Sequence, residues 1–271
     1  MSKEYLHGFD KKEQDRLYRQ AKFLENIIFS DIDFSYAENL LEVGCGVGAQ
    51  SEILLRRFPN LNLTGIELSD NQLERAKDHL SDLQYAEGRY ELLNMDAKDM
   101  DFKAGERFDA AYLCWVLEHI PNPVDVLSEV RRVLIPGSVV YVNEVLNSSF
   151  FVEPYSPNVL KYWMHFNDLQ YEMGGDPFIG AKLGNLLQSL GYANIKTSIK
   201  TIHLDNRNPV KRAQMIEYWT NLLLSAVNNL LESEHIKEES VQKVKDELKI
   251  VGKDPNAVFY YSFVQAQAYT A

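Results

Sequence analysis

The chain has 271 residues and a formal net charge of −11, with 45% hydrophobic and 25% charged residues, a composition that excludes wholesale disorder. The acidic balance argues against the broad cationic surface that a nucleic-acid partner requires, and two cysteines, Cys45 and Cys114, exclude a disulfide framework or a four-thiolate zinc site. No apolar run approaches the ~20 residues needed to cross a bilayer, and the polar start MSKEYLHGFDKKEQDR is no secretory signal, so the expectation is a soluble cytoplasmic protein without a membrane partner.

In chain order, Leu17, Phe23, Leu24, Ile27 and Ile28 predict a helix over 10–29. Asn39–Val43 reads as a strand ending in a glycine-rich turn, and Ala49–Phe58 as a helix stopped by Pro59. Leu61–Ile66 is a second strand. Ser69 is a natural N-cap for a helix around Leu73, Ala76 and Leu80. Arg89–Met95 and the continuously apolar Phe108–Cys114 predict a third and a fourth strand. Pro123–Leu134 predicts a helix, Pro136-Gly137 a turn, and Ser138–Val145 a fifth strand. This alternation implies a doubly wound, mostly parallel α/β sheet with helices on both faces.

The alternation then stops. Residues 146–177 are rich in aromatics, proline and asparagine, and end near Gly174-Gly175, a candidate hinge. Phe178–Leu190 reads as a helix closed by Gly191, Ile195–Leu204 as a strand, 209–249 as two helices with a charged junction, and Val258–Ala268 as a last strand. A stripe of Ile216, Trp219, Leu223 and Val227 faces either the core or a second copy, so a homodimer through the helical insertions is a possible partner.

The richest motif is Glu42-Val-Gly44-Cys-Gly46-Val-Gly48, lying between a strand and a helix. Glycines there permit a tight turn and a close ligand approach, beside helix N–H groups suited to an anionic group. Glu67 ends the second strand nineteen residues beyond Gly48, where a carboxylate can accept from two ribose hydroxyls.

The Glu-x-Gly-x-Gly-x-Gly pattern resembles motif I of the class I S-adenosylmethionine-dependent methyltransferases. Its spacing differs from the Gly-x-Gly-x-x-Gly of NAD proteins. Asn94-Met95-Asp96-Ala97, Cys114-Trp115-Val116-Leu117-Glu118-His119-Ile120-Pro121 and Arg131-Arg132-Val133-Leu134-Ile135-Pro136-Gly137 resemble further segments of that family. The start of the chain, with Tyr5, Tyr18 and Gln20, resembles the N-terminal helix that closes over the cofactor in some members. The resemblance implies a seven-stranded Rossmann-like sheet with helical lid insertions, and S-adenosyl-L-methionine as cofactor with S-adenosyl-L-homocysteine as product. It implies that Glu42, Gly44 and Gly46 form the loop around the methionyl part, and that Glu67 binds the ribose with Leu68 near the adenine. Asp96 and the Ala97 N–H would hold the adenine, Cys114 and Trp115 would border the sulfonium, and Gln20 would reach the cofactor carboxylate.

The domain expectation is an N-terminal cap over 1–37, a cofactor-binding core over 38–145, a lid over 146–177, core helix and strand over 178–208, a helical insertion over 209–254 and a final strand over 255–271. The lid rings Phe150, Phe151, Tyr155, Tyr162, Trp163, Phe166 and Tyr171 suit an apolar or aromatic small-molecule acceptor, most of them as packing. Candidate bases are His119, Glu144 and His165, with Asp168 behind them. No histidine has metal-ligand spacing, so no metal is expected; His79 reads as part of a solvated helix face. The amino-base DNA methyltransferase motif Asn/Asp-Pro-Pro-Tyr is absent after the fourth strand. A non-catalytic S-adenosylmethionine or S-adenosylhomocysteine sensor is the alternative, with a protein methyltransferase behind it. A sealed acceptor cavity would favour the sensor.

Overall fold

The computed structural model describes residues 11–271, so Tyr5 and His7 lie outside the described residues. Five parallel strands form the sheet's first part: β1 (Asn39–Val43), β2 (Asn62–Glu67), β3 (Tyr90–Asn94), β4 (Phe108–Cys114) and β5 (Leu134–Val145), in the order β3-β2-β1-β4-β5. Three more complete it: β6 (Phe151–Glu153), β7 (Ala193–Leu204) and β8 (Val258–Tyr269). β8 runs antiparallel to β5 and to β7, and the short β6 pairs with Val258–Tyr260 of β8 beyond the end of β5. The sheet therefore has eight strands against the seven expected, because Val152 is buried beside β8 in a segment with no readable period.

The helices are α1 (Lys11–Ile28), α2 (Ala49–Arg57), α3 (Asp70–Ser81), α4 (Pro123–Val133), α5 (Pro157–Glu172), α6 (Leu183–Ser189), α7 (Pro209–Ser225), α8 (Val227–Glu232) and α9 (Glu238–Lys253). Ser69 caps α3, its hydroxyl accepting from the Gln72 N–H at 3.4 Å. Gly191, at φ +75°, follows α6 as expected. Apolar side chains of α4 (Val126, Leu127, Val130, Val133) and the parallel strands make a core on one sheet face. The second core, on the other face, joins α1 to the aromatics of α5 and α7.

Several local expectations need correction. Pro136-Gly137 is no separate turn; it lies inside β5, where Gly137 takes φ +84° and the pairing with β4 shifts register between Phe108 and Ala110. The aromatic segment contains α5, whose Val159, Tyr162, Trp163, Phe166 and Leu169 are buried on one side. Phe178–Leu190 divides into a 3-10 turn (Ile179–Lys182) and α6, and the C-terminal insertion holds three helices. Ile216, Trp219 and Leu223 of the α7 stripe are buried within the chain. His79 is half-buried, its Nε2 2.8 Å from Glu52 and its ring 4.4 Å from that of Tyr18. No helix among the described residues is long and apolar enough to cross a membrane.

Candidate active site

The strand order reverses between β1 and β4, and a cleft of about 630 Å³ opens at the carboxyl ends of these strands. At one end lies the glycine loop. Gly44 stands at φ +66°, and a Cβ there would lie 2.7 Å from Val116 Cγ2, so any side chain would push the post-β4 segment away. Gly46, at φ +53°, has open space where its Cβ would stand, on the cleft wall. That cradle would be filled by any other residue.

Glu67 ends β2 beside this loop. Its Oε2 accepts from the Gly46 N–H at 3.1 Å and its Oε1 from the Ser69 N–H at 2.9 Å. A carboxylate has about four acceptor directions, so lone pairs remain for a ligand. Leu68 is 58% exposed yet lines the cleft, an apolar surface open to a flat ligand. Asp96 follows β3, accepts from the Lys98 N–H at 2.9 Å, and lines the same end with Ala97.

Glu42 is buried behind the loop and accepts from Ser51 Oγ at 2.5 Å. Burial pushes its carboxyl up to about 8, opposed by the Ser51 hydrogen bond and helped by the nearby Glu67 charge. The folded protein thus keeps a proton that the unfolded chain releases near the ordinary carboxyl value. Stability falls as pH rises from about 4.5 to about 8, at up to ~1.4 kcal/mol per pH unit. Glu42→Gln is expected to reduce that slope, the raised Glu144 carboxyl supplying a further part of it; denaturant melts at pH 5 and pH 8 measure it, and an unaltered slope would refute the assignment.

The post-β4 segment divides the cleft. Trp115 takes φ +56°, a left-handed conformation uncommon for a bulky residue. Its N–H donates to the Asn143 carbonyl at 2.9 Å, and its ring meets Phe263 edge-on at 5.9 Å. Cys114 lines the cleft next to it, its thiol pushed up by burial. Glu144 lies under the segment, fully buried, and is not among the residues lining the cleft. Its carboxyl oxygens accept from the N–H groups of Val116 (3.0 Å), Leu117 (2.7 Å) and Glu118 (3.3 Å). The expected base at this position is thereby engaged in holding backbone.

Of the other candidate bases, His119 lines the cleft with Nε2 3.6 Å from Glu118 Oε1. His165 does not line it; its ring lies 6.2 Å from that of His235 on the outer side of α5. Asp168 is exposed. Gln20 lines the cleft and accepts from Arg16 Nη1 at 2.9 Å.

Arg16 is the main residue that sequence reasoning missed. It is buried on α1, is held by Glu13 through two hydrogen bonds (2.7 and 2.5 Å), and donates to Tyr218 Oη on α7 at 3.0 Å. Glu13, Gln14 and Arg16 make the first turns of α1 polar yet buried, a pattern that apolar periodicity cannot register. Tyr18 Oη donates to the Val47 carbonyl at 2.5 Å, which ties α1 to the glycine loop.

The cleft's other end is aromatic. Trp163 and Phe166 from α5, Tyr218 and Trp219 from α7, and Tyr261 and Phe263 from β8 line it. The rings form a connected wall, with Trp163 4.9 Å from Phe166 and 5.6 Å from Trp219, and Trp219 4.6 Å from Tyr261. Of the seven lid rings only Trp163 and Phe166 reach the cleft. Phe150 and Tyr162 are core, while Phe151, Tyr155 and Tyr171 are exposed. The α7 and β8 contributions were invisible in sequence, since a buried stripe looks the same whether it faces core or cleft.

Residues 41–142 match the methyltransferase domain family. The chain is 33% identical over 128 residues to the sterol 24-C-methyltransferase of Debaryomyces hansenii, covering 47% of this chain and 33% of the relative. It is 29% identical over 168 residues to the demethylmenaquinone methyltransferase of Desulfitobacterium hafniense, covering 62% of this chain and 59% of the relative. The chain thus spans about a third and about three-fifths of these relatives. The crystal structure of geranyl diphosphate C-methyltransferase from Streptomyces coelicolor, in complex with geranyl-S-thiolodiphosphate and S-adenosyl-L-homocysteine, superposes with a TM-score of 0.55. It shares the fold at 13% identity, over 93% of this chain and 76% of that one.

Proposed function

We propose that this chain, whose residues 41–142 match the methyltransferase domain family, is a class I S-adenosylmethionine-dependent methyltransferase that moves a methyl group to an oxygen, nitrogen or carbon atom of a small apolar or aromatic molecule. One observation carries the reading: a single cleft joins the Gly44–Gly46 loop and Glu67 at one end to the aromatic wall at the other.

The residues present suit the cofactor. The Gly46 cradle takes the methionyl part, Glu67 the ribose hydroxyls, and Leu68, Asp96 and Ala97 the adenine. Gln20, held by Arg16, is the group nearest in kind for the cofactor's amino-acid end. When bound, S-adenosylmethionine supplies a methyl group on a sulfonium leaving group. The chain's own task is then alignment, which by itself supplies several kcal/mol of rate enhancement. Val116, held by Glu144, and Trp115, whose N–H donates to the Asn143 carbonyl, set the wall where the two halves meet. α1 covers the loop through Tyr18 and excludes water. His119 takes the proton when the acceptor atom carries one.

Thermal melting tests this. S-adenosylmethionine or S-adenosylhomocysteine at about 100 times its dissociation constant should stabilise by ~2.7 kcal/mol, a rise of about 5–10 °C. NAD should give no rise. Stabilisation by NAD alone would overturn the reading.

A further inference from the structure

Resting on the methyltransferase reading, the acceptor occupies the cleft beyond Trp115, and the charges there restrict its chemistry. Among the described residues, three basic side chains line the cleft: Arg16, Lys98 and His119. Arg16 is bound bidentately by Glu13, and Lys98 lies 3.5 Å from Asp96 at the opposite, adenine end. Against them stands Glu118, 8% exposed, on the cleft wall beside the aromatic rings. Its Oε2 accepts from Gln170 Nε2 at 2.8 Å, and its Oε1 is 3.6 Å from His119 Nε2. Gln170, itself 3% exposed, has an Oε1 with no hydrogen-bond partner. Gln170 stands behind Glu118 and does not line the cleft, so the anionic group that this corner presents to the cleft is Glu118.

We propose that the methyl acceptor is an amine, with an apolar body against the aromatic wall and a basic nitrogen against Glu118, and that phosphate and diphosphate esters are excluded. An anionic ester would be desolvated next to a carboxylate, while the nearby guanidinium is already paired with Glu13. An ammonium gains the Glu118 charge and the electron-rich rings together. In the reaction, the bound ammonium first gives a proton to His119. The nitrogen lone pair then forms the new N–C bond as the C–S bond breaks, its electron pair remaining on sulfur. The methylated product takes up cationic form in the same corner.

All three tryptophans of the chain, Trp115, Trp163 and Trp219, line this cleft, so selectively excited tryptophan fluorescence reports on it. The test titrates benzyltrimethylammonium, benzyl alcohol and benzyl phosphate into protein saturated with S-adenosylhomocysteine. The ammonium should bind about tenfold or more tighter than the alcohol, with no saturable response to the phosphate. In Glu118→Gln the preference should drop to about threefold or less, with S-adenosylhomocysteine binding by the variant reporting its folding. Alcohol or phosphate binding as tightly as the ammonium, in the wild type, overturns the amine assignment, as does an undiminished preference in the folded variant. Calorimetry with S-adenosylhomocysteine separates the two levels. Failure of the wild type to bind it overturns the methyltransferase reading, whereas binding with a phosphate-preferring cleft overturns the amine alone.

Discussion

Glu67→Ala is expected to lose about 100-fold in affinity for S-adenosylmethionine while remaining folded. Hydrogen bonds to a charged acceptor contribute ~1.5–3 kcal/mol each, and two ribose hydroxyls meet this carboxylate in the proposed pose. The loss has a second source in the loop. Glu67 Oε2 holds the Gly46 N–H at 3.1 Å and Oε1 the Ser69 N–H at 2.9 Å, so its removal also loosens the cradle and the start of α3. Gly46 and Ser69 are both half-buried, so water is expected to replace the carboxylate and the cost in stability to stay near ~1 kcal/mol. Calorimetric titration with S-adenosylhomocysteine is the measurement. A dissociation constant within threefold of wild type would remove the ribose role from Glu67.

Glu144→Ala should be the most damaging single change in the acceptor half, through stability as well as rate. The wild-type carboxyl is fully buried, is held well above the ordinary carboxyl value by that burial and by Glu118, and accepts from three consecutive N–H groups. Alanine leaves those donors without acceptors and a void beside them. A loss of about 3 kcal/mol follows, a fall in melting temperature of about 6–12 °C for a chain of this size. The segment released is the one that carries Trp115 at φ +56° and seats Val116 against Gly44. The turnover number should therefore fall at least about 100-fold, since misplacement by ~1 Å costs that much. Glu144→Gln keeps one acceptor oxygen and should recover part of the melting temperature. If Glu144→Ala melts within 2 °C of wild type, the carboxyl does not hold the segment.

The cofactor half was legible in the sequence because its signals are local. A strand, three glycines and a helix lie within twenty residues, and the positive φ values at Gly44, Gly46 and Gly48 are what those glycines supply. Glu67 and Asp96 could be placed because β2 lies beside β1 and β3 beside β2 in a doubly wound sheet, and their ends open on the same side as the first loop. Glu144 was located correctly at the end of β5, but composition cannot reveal what a buried carboxyl touches. Three backbone donors from the chain 26 to 28 residues earlier engage it.

The amino-acid sequence by itself determined the alternating parallel sheet, the glycine loop and the carboxylates that end its strands. Each depends on period, turn chemistry or a strand end, all short-range properties of the chain. Tertiary structure alone decided which rings face the cleft, that Glu144 holds backbone, and that Arg16 is paired with Glu13 and joined to Tyr218 across 202 positions. Burial and charge pairing are properties of what packs against a residue, and α1, α5, α7 and β8 meet at this cleft only once the sheet has brought them together.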